Sequence, residues 1–336
     1  VLLEAGADVE ARSKVRPRLM YDVSSNGAVF DQGVMVPLGG FTPLLFAARH
    51  GDAESARLLL SAGADVDNPA ANGASPVVVA THSGHTDFAV LLLARGARPD
   101  AIGAGYTALH AAVLRGDLTT LEALLAHGAD PNIRLEKGTP LRRTSEDWAL
   151  KATQISATPF WLAASFREST IMRALAAAGA DPTLTTTEVR RGVVERAGGV
   201  GPSQVVGGFV TPLMAALRGS SDRGRFFLFN PDRVLEDQRA LDAVTVLVEL
   251  GADLEATDYR GTAALHDAAS RNLPSVVRFL AEGGALVDVE DGRGRTPLQL
   301  AVAASRRLRV VNVGGEWEGE TAVDVLRELG AEEPAR

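Results

Sequence analysis

Residues 42–67 read TPLLFAARHGDAESARLLLSAGADVD, a stretch with two separable halves. Thr42 suits a helix N-cap, because its hydroxyl accepts a hydrogen bond from a free N–H of the first turn. Pro43 suits the first helical position, where no N–H is required. Leu44, Leu45, Ala47 and Ala48 follow at helical spacing and predict a short first helix that Gly51 ends. A second helix, Glu54 to Ala62, is closed by Gly63 in the left-handed C-cap role. From there the chain turns back as a β-hairpin before the next cap.

Both halves of this stretch recur. The closing half returns as Gly6-Ala7-Asp8, Gly96-Ala97, Gly128-Ala129-Asp130, Gly179-Ala180-Asp181, Gly251-Ala252-Asp253, Gly284-Ala285 and Gly330-Ala331. The opening half returns as Ser75-Pro76-Val77, Thr107-Ala108-Leu109-His110, Thr158-Pro159-Phe160, Thr211-Pro212-Leu213, Ala263-Ala264-Leu265-His266 and Thr296-Pro297-Leu298. Successive Gly-Ala glycines are 57, 33, 32, 51, 72, 33 and 46 residues apart. A bare period near 33 therefore persists, and the surplus is inserted sequence.

Helix, tight turn, helix and hairpin, with Thr-Pro-Leu-His and Leu-Leu-x-x-Gly-Ala-Asp recurring in phase, resembles the ankyrin repeat family. The resemblance implies an all-α solenoid of stacked helix-turn-helix repeats with β-hairpin or loop fingers, a single array over residues 1–336. Repeats are expected to end near 63, 96, 128, 179, 251, 284 and 330. Residues 1–12 read as part of one more repeat, so an exposed apolar end is expected there, and the true N-terminus is expected upstream of Val1. Gly138-Thr139-Pro140-Leu141 mimics another start, but Arg142-Arg143 occupy the slot of a small apolar pair, so Thr139 is assigned to an insertion and Thr158 to the helix start.

The surplus lies in five places. Residues 13–39, 134–155 and 184–207 fall where a unit has its hairpin and predict long fingers; 218–238 and 305–319 fall between first and second helices. Loops of this length are usually functional or disordered. The three fingers carry net charges of +1, +2 and +1 against −8 for the whole chain, leaving −12 on the remainder. A mildly basic rim on an acidic body favours a partner with an acidic patch.

Composition removes several function classes. The absence of cysteine excludes disulfides, thiolate metal sites and cysteine nucleophiles. A net charge of −8 disfavours nucleic acid, which needs a basic face. No uncharged apolar run reaches membrane-spanning length. His82 and His85 could suggest a metal pair, but the repeat register places them on either side of the Gly84 turn, with no third ligand nearby. His110 and His266 fill the histidine of the Thr-Pro-Leu-His motif, which the resemblance makes structural. Gly198 to Gly208 lacks the terminal Gly-Lys-Ser/Thr of a phosphate loop. No nucleophile motif occurs, and no cofactor, metal or catalytic residue is assigned.

What remains is surface. In ankyrin stacks the concave side is built from first helices and hairpin tips. Carried over position by position, the first-helix ends are Arg49 and His50, His82 and Ser83, Leu114 and Arg115, Ser165 and Phe166, and Ser270 and Arg271. Phe41, Tyr106 and Arg295 precede the caps, and Tyr259 with Arg260 falls at a hairpin tip. Aromatics and arginines are what interface hot spots favour. Phe226, Phe227 and Phe229 are expected to anchor the 218–238 insertion. The resemblance implies a non-catalytic, monomeric scaffold binding another protein, or alternatively the recognition arm of a longer chain with an enzyme or membrane anchor. Likeness to bacterial ankyrin proteins, some of them exported, leans toward export, with the cytoplasm as the alternative.

Overall fold

The computed structural model describes residues 2–21, 33–139, 149–150, 154–187, 189–191, 204–219, 233–311 and 319–332. They fall into two compact units, one within Val1–Ala163 and Arg173–Ala180, the other within Ala164–Met172, Asp181–Ser221 and Leu228–Arg336.

In the first unit a hairpin of β1 (Arg16–Tyr21) and β2 (Gly33–Leu38) precedes the helix pairs α1 (Pro43–His50) and α2 (Ala53–Ser61), α3 (Pro76–Ser83) and α4 (Thr86–Ala94), and α5 (Ala108–Arg115) and α6 (Leu118–Ala126). First helices pack on first helices, α1 on α3 and α3 on α5, while α2 packs on α4 and α4 on α6. The chain passes between the units within α7 (Pro159–Ser165) and again within α8 (Ser169–Ala177). In the second unit the hairpin β3 (Val189–Arg191) and β4 (Gln204–Gly207) precedes α9 (Pro212–Arg218), α10 (Arg233–Glu249), α11 (Ala264–Ser270), α12 (Pro274–Glu282), α13 (Pro297–Val311) and α14 (Ala322–Glu328). There α11 packs between α9 and α13, and α12 between α10 and α14. Each unit is thus an all-α solenoid arrangement of stacked helix-turn-helix repeats with hairpin fingers.

Local chemistry sets the helix ends. Thr42 and Thr107 accept hydrogen bonds from Leu45 N and His110 N, Thr158 from Trp161 N and Thr211 from Met214 N. Asp52 and Asp117 do the same for α2 and α6. Gly51, Gly84 and Gly116 stop the first helices at φ 72°, 80° and 68°, a left-handed conformation that costs L-residues with a Cβ. Leu44, Leu45, Val77, Val78, Leu109 and Leu124 are at most 1% exposed, and each such side chain contributes about 1.5–3 kcal/mol by leaving water.

Two hydrogen-bond ladders join successive repeats. At the hairpin tips, Ala71 N donates to Gly39 O (3.0 Å), Glu136 N to Gly105 O (2.8 Å) and Gly292 N to Arg260 O (2.8 Å). At the other ladder, an acid four residues after five of the Gly-Ala glycines accepts from the next repeat's backbone, while Asn132 and Thr183 hold that position after Gly128 and Gly179. Glu10 accepts from Asp65 N, Asp67 from Arg98 N, Asp100 from Asp130 N, Glu255 from Leu286 N and Asp288 from Glu332 N, at 2.6–3.0 Å. Asp65 and Asp67 therefore belong to a repeating tie between successive repeats.

The insertions are pinched at their bases. Ser13 N donates to Phe41 O and Gly40 N to Ser13 O below β1 and β2, which pair antiparallel from Arg16↔Leu38 to Tyr21↔Gly33. Leu135 N donates to Ala157 O and Ser156 N to Leu135 O below the second finger. Thr139 pairs with Leu150 through its backbone N–H and its side chain and caps no helix. Thr186 and Val210 close the third finger, where β3 and β4 pair with an irregularity at Val189/Arg190. The surplus at 218–238 ends as helix, since α10 begins at Arg233, and that at 305–319 begins as helix, since α13 runs to Val311.

His110 and His266 serve the fold. Thr107 N and the Thr107 hydroxyl reach His110 Nδ1 at 3.2 and 2.9 Å, and His266 Nε2 donates to Arg295 O of the next repeat at 2.9 Å. Burial drives the His110 pKa down to about 4, with the backbone at Ala157 and Ile133 pulling the other way. The folded chain keeps this ring neutral while the unfolded chain protonates it near pH 6.5. Its contribution is therefore present above pH 6.5 and lost as pH falls through 4, amounting to roughly 3 kcal/mol for a shift of that size. Gln299 fills the same slot beside Thr296 without titrating. His110→Gln should accordingly remove that part of the acid-side slope in urea-unfolding free energy measured from pH 7 to 4, and an unchanged slope would refute the assignment.

Candidate binding surface

The expected surface residues separate into two groups. In the first unit Arg49 and His50 are exposed at the end of α1, and the Phe41 and Phe46 rings lie 5.3 Å apart. Phe41 is tied to the finger base, its N–H donating to Ser13 Oγ at 3.0 Å. His85 Nε2 donates to Arg49 O at 3.0 Å, and the His82 ring sits 6.0 Å from Tyr106. Arg115 is half-buried against Gly84, where its guanidinium occupies the space a Cβ would take. Among the described residues no group of three His, Asp or Glu side chains converges as a metal site would require.

Three expected positions are corrected. Tyr106 is 8% exposed, and burial pushes its hydroxyl up to about 12. Leu114 is wholly buried because it stands three and four residues after the buried Ala111 and His110, on their helix face. Ser165 is 4% exposed for the same reason, following Leu162 and Trp161 by three and four. None of these three side chains stands on a free face. Phe226, Phe227 and Phe229 lie outside the described residues. Leu19 and Met35, which the sequence did not single out, face each other across β1 and β2 and are 65% and 58% exposed.

The second unit holds a charged network on the expected face. Arg218, the last residue of α9, donates from Nε to Asp267 Oδ2 on α11 (2.7 Å) and from Nη2 to Asp258 Oδ2 in the hairpin (2.8 Å). Asp258 Oδ1 accepts from the N–H groups of Arg260 (2.8 Å) and Thr262 (3.1 Å). Arg167, held at φ 57°, donates to Ala216 O and Leu217 O and pairs with Glu236. Burial raises the Asp267 carboxyl to about 6 although Arg218 opposes it, and the two carboxylates hold Arg218 charged. Tyr259 is half-buried with the exposed Arg260 over its ring at 4.9 Å. Arg271 is exposed, Phe166 is half-buried, and Arg295 closes on Asp291 at 2.6 Å.

Comparison with known proteins places this architecture. The family described as "Ankyrin repeats (3 copies)" matches residues 44–135, and "Ankyrin repeats (many copies)" matches residues 247–301. Residues 44–135 and 247–301 are ankyrin repeats. Human "Ankyrin repeat and SOCS box protein 16" is 28% identical over 240 residues, 70% of this chain and 48% of that protein. Human "Neurogenic locus notch homolog protein 2" is 43% identical over 96 residues, 28% of this chain and 4% of that one. The human ASB11 ankyrin repeat domain superposes with a TM-score of 0.57 at 22% identity, covering 88% of this chain and 100% of the domain. The chain thus spans half or less of the curated relatives it matches. Those relatives are human proteins and do not bear on the bacterial likeness. Among the described residues no helix is long and apolar enough to cross a membrane.

Proposed function

We propose that this chain is a non-catalytic scaffold whose ankyrin units each hold another protein with their first-helix ends and fingers. The observation that carries the reading is positional. The same first-helix end position presents His50 and Arg115 in the first unit and Arg271 in the second, with Arg49 beside it in the first and the hairpin-tip residues Tyr259 and Arg260 near it in the second, at least partly exposed in each case. The buried polar side chains, Thr107 and His110 among them, mostly serve caps and ties between repeats. Ankyrin repeats in the relatives are protein–protein interaction domains, which supports the same conclusion. The exposed Leu19 and Met35 add an apolar finger to the first unit's face. The test is affinity capture with the intact chain, then titration of the captured protein against alanine variants at Arg49 and His50 and at Tyr259 and Arg260. At least one pair should weaken binding roughly ten-fold or more, as hot-spot truncation does. Unchanged affinity in both would remove the proposed faces.

A second reading, that these repeats are the recognition arm of a longer chain, draws on a groove lined by Leu3, Phe46, His50, Leu58 and Leu59. Leu59 is half-buried there, whereas Leu92 and Leu124, its equivalents in the next two repeats, are fully buried. Leu58 is 59% exposed and Phe46 45%. A further helix pair on this end would cover them. The size of the endogenous protein on an immunoblot decides between the readings.

A further inference from the structure

We propose that the second unit carries a site for an acidic peptide segment, in which partner carboxylates dock on Arg271 and Arg260 at either side of the Arg218 bridge. This deepens the binding reading above and rests on it.

The inner charges of this patch already satisfy one another. Both donor edges of Arg218 that reach carboxylates are occupied, by Asp267 and Asp258. The second oxygen of Asp258 is taken by two backbone N–H groups of its own turn. Glu236 is held by Arg167. Each carboxylate of the patch therefore has a donor. Its outer arginines do not have acceptors of matching charge. Arg271, one residue past the end of α11, is exposed and forms no ion pair among the described residues. Partial burial first, and the nearness of Arg167 second, hold its guanidinium below the ordinary arginine range, while Asp267 and Glu236 pull the other way. With Arg167 near it and no carboxylate in ion-pair contact among the described residues, the Arg271 guanidinium has an unmet positive charge that an arriving carboxylate would offset.

Arg260 supplies the second point. Its guanidinium lies over the Tyr259 ring at 4.9 Å and its Nε donates to Tyr259 Oη at 2.6 Å. Its terminal nitrogens form no ion pair among the described residues. A planar guanidinium presents paired N–H groups that match a carboxylate, and pre-set forks lose less entropy on binding. The whole chain carries −8, so a long polyanion is repelled beyond the patch, whereas a short acidic stretch feels mainly the two arginines. A nucleic acid fits this balance poorly.

The site is tested by fluorescence anisotropy of a labelled glutamate-rich peptide titrated with the intact chain and its Arg271→Gln, Arg271→Lys and Arg98→Gln variants. Arg98 is an exposed arginine of the first unit, paired with Asp67. Arg271→Gln should weaken the peptide roughly ten-fold, the scale of one charge-assisted contact. Arg271→Lys should lose less, because charge persists without the fork. Arg98→Gln should bind as the parent does, and melting temperatures should agree across the set. Equal affinity of Arg271→Gln and parent, no saturable peptide binding by the parent, or an equally tight single-stranded oligonucleotide would each overturn the proposal. If a captured protein partner binds Arg271→Gln as well as the parent, the scaffold reading stands and only this assignment falls.

Discussion

Arg218→Met is expected to destabilise the second unit by about 3–5 kcal/mol, the cost of removing one partner from a buried ion cluster. The Asp258 side chain is 3% exposed and that of Asp267 13%, and both lean on the same guanidinium. Without it two carboxylates face each other with little water to separate them. Asp267 already sits at about 6 with Arg218 beside it, and loss of that cation moves it higher. Because the folded pKa of this acid is raised, the folded state takes up a proton that the unfolded state, near 3.8, does not. The contribution of Asp267 thus favours folding in acid and is lost as pH rises through 6. The variant should therefore be more destabilised at pH 8 than at pH 5 in urea unfolding followed by circular dichroism. Adding Asp267→Asn to Arg218→Met should recover part of the loss at pH 8. Repeat stacks carry their stability in nearest-neighbour terms, so faster amide exchange should centre on α9, α11 and the Asp258 turn. A variant as stable as the parent at both pH values would show that the cluster is solvated and of little energetic weight.

The repeat frame was legible in the residues because its signals are local. Thr42, Thr107, Thr158 and Thr211 announce helix starts within one turn, and Gly51, Gly84 and Gly116 announce their ends through backbone conformation. Thr139 was separable from Thr158 because two arginines cannot enter a packed first helix. The acid ladder recurs four residues past five of the glycines, but its meaning needs the neighbouring repeat's N–H in space. The Arg218 network was beyond reach for a different reason. Its members are 40 and 49 residues apart across an insertion that breaks the period. Side-chain direction was the other loss. Position before the cap does place Tyr106 near a hairpin tip, yet its ring turns inward beside His82. Leu114 and Ser165 were readable after all: helical spacing from buried neighbours sets both inward, and chain-end position was the wrong guide.

Gly73→Ala should cost about 2–5 kcal/mol from left-handed backbone strain and overpacking together. Gly73 stands at φ 85°, and a Cβ there would lie 2.2 Å from Gly103 O and 2.4 Å from Gly103 C in the next hairpin tip. The obstacle is backbone on a neighbouring repeat, so no rotamer change relieves it; the two tips must part. Gly63→Ala separates the two causes. Its φ is 92°, equally unsuited to a side chain, but nothing lies within 4 Å of the added carbon. That variant should lose only about 1–2 kcal/mol, the conformational part alone. Gly261 repeats the Gly73 arrangement in the second unit, with a Cβ 2.7 Å from Gly292 N, so Gly261→Ala should also exceed Gly63→Ala. If urea unfolding ranks all three alike, conformation rather than tip-to-tip contact sets the cost, and the close approach of successive hairpins contributes nothing to the stack. If Gly73→Ala and Gly261→Ala stand well above Gly63→Ala, the tips are a packed seam. Their glycines are then required by the neighbouring repeat as well as by their own turn.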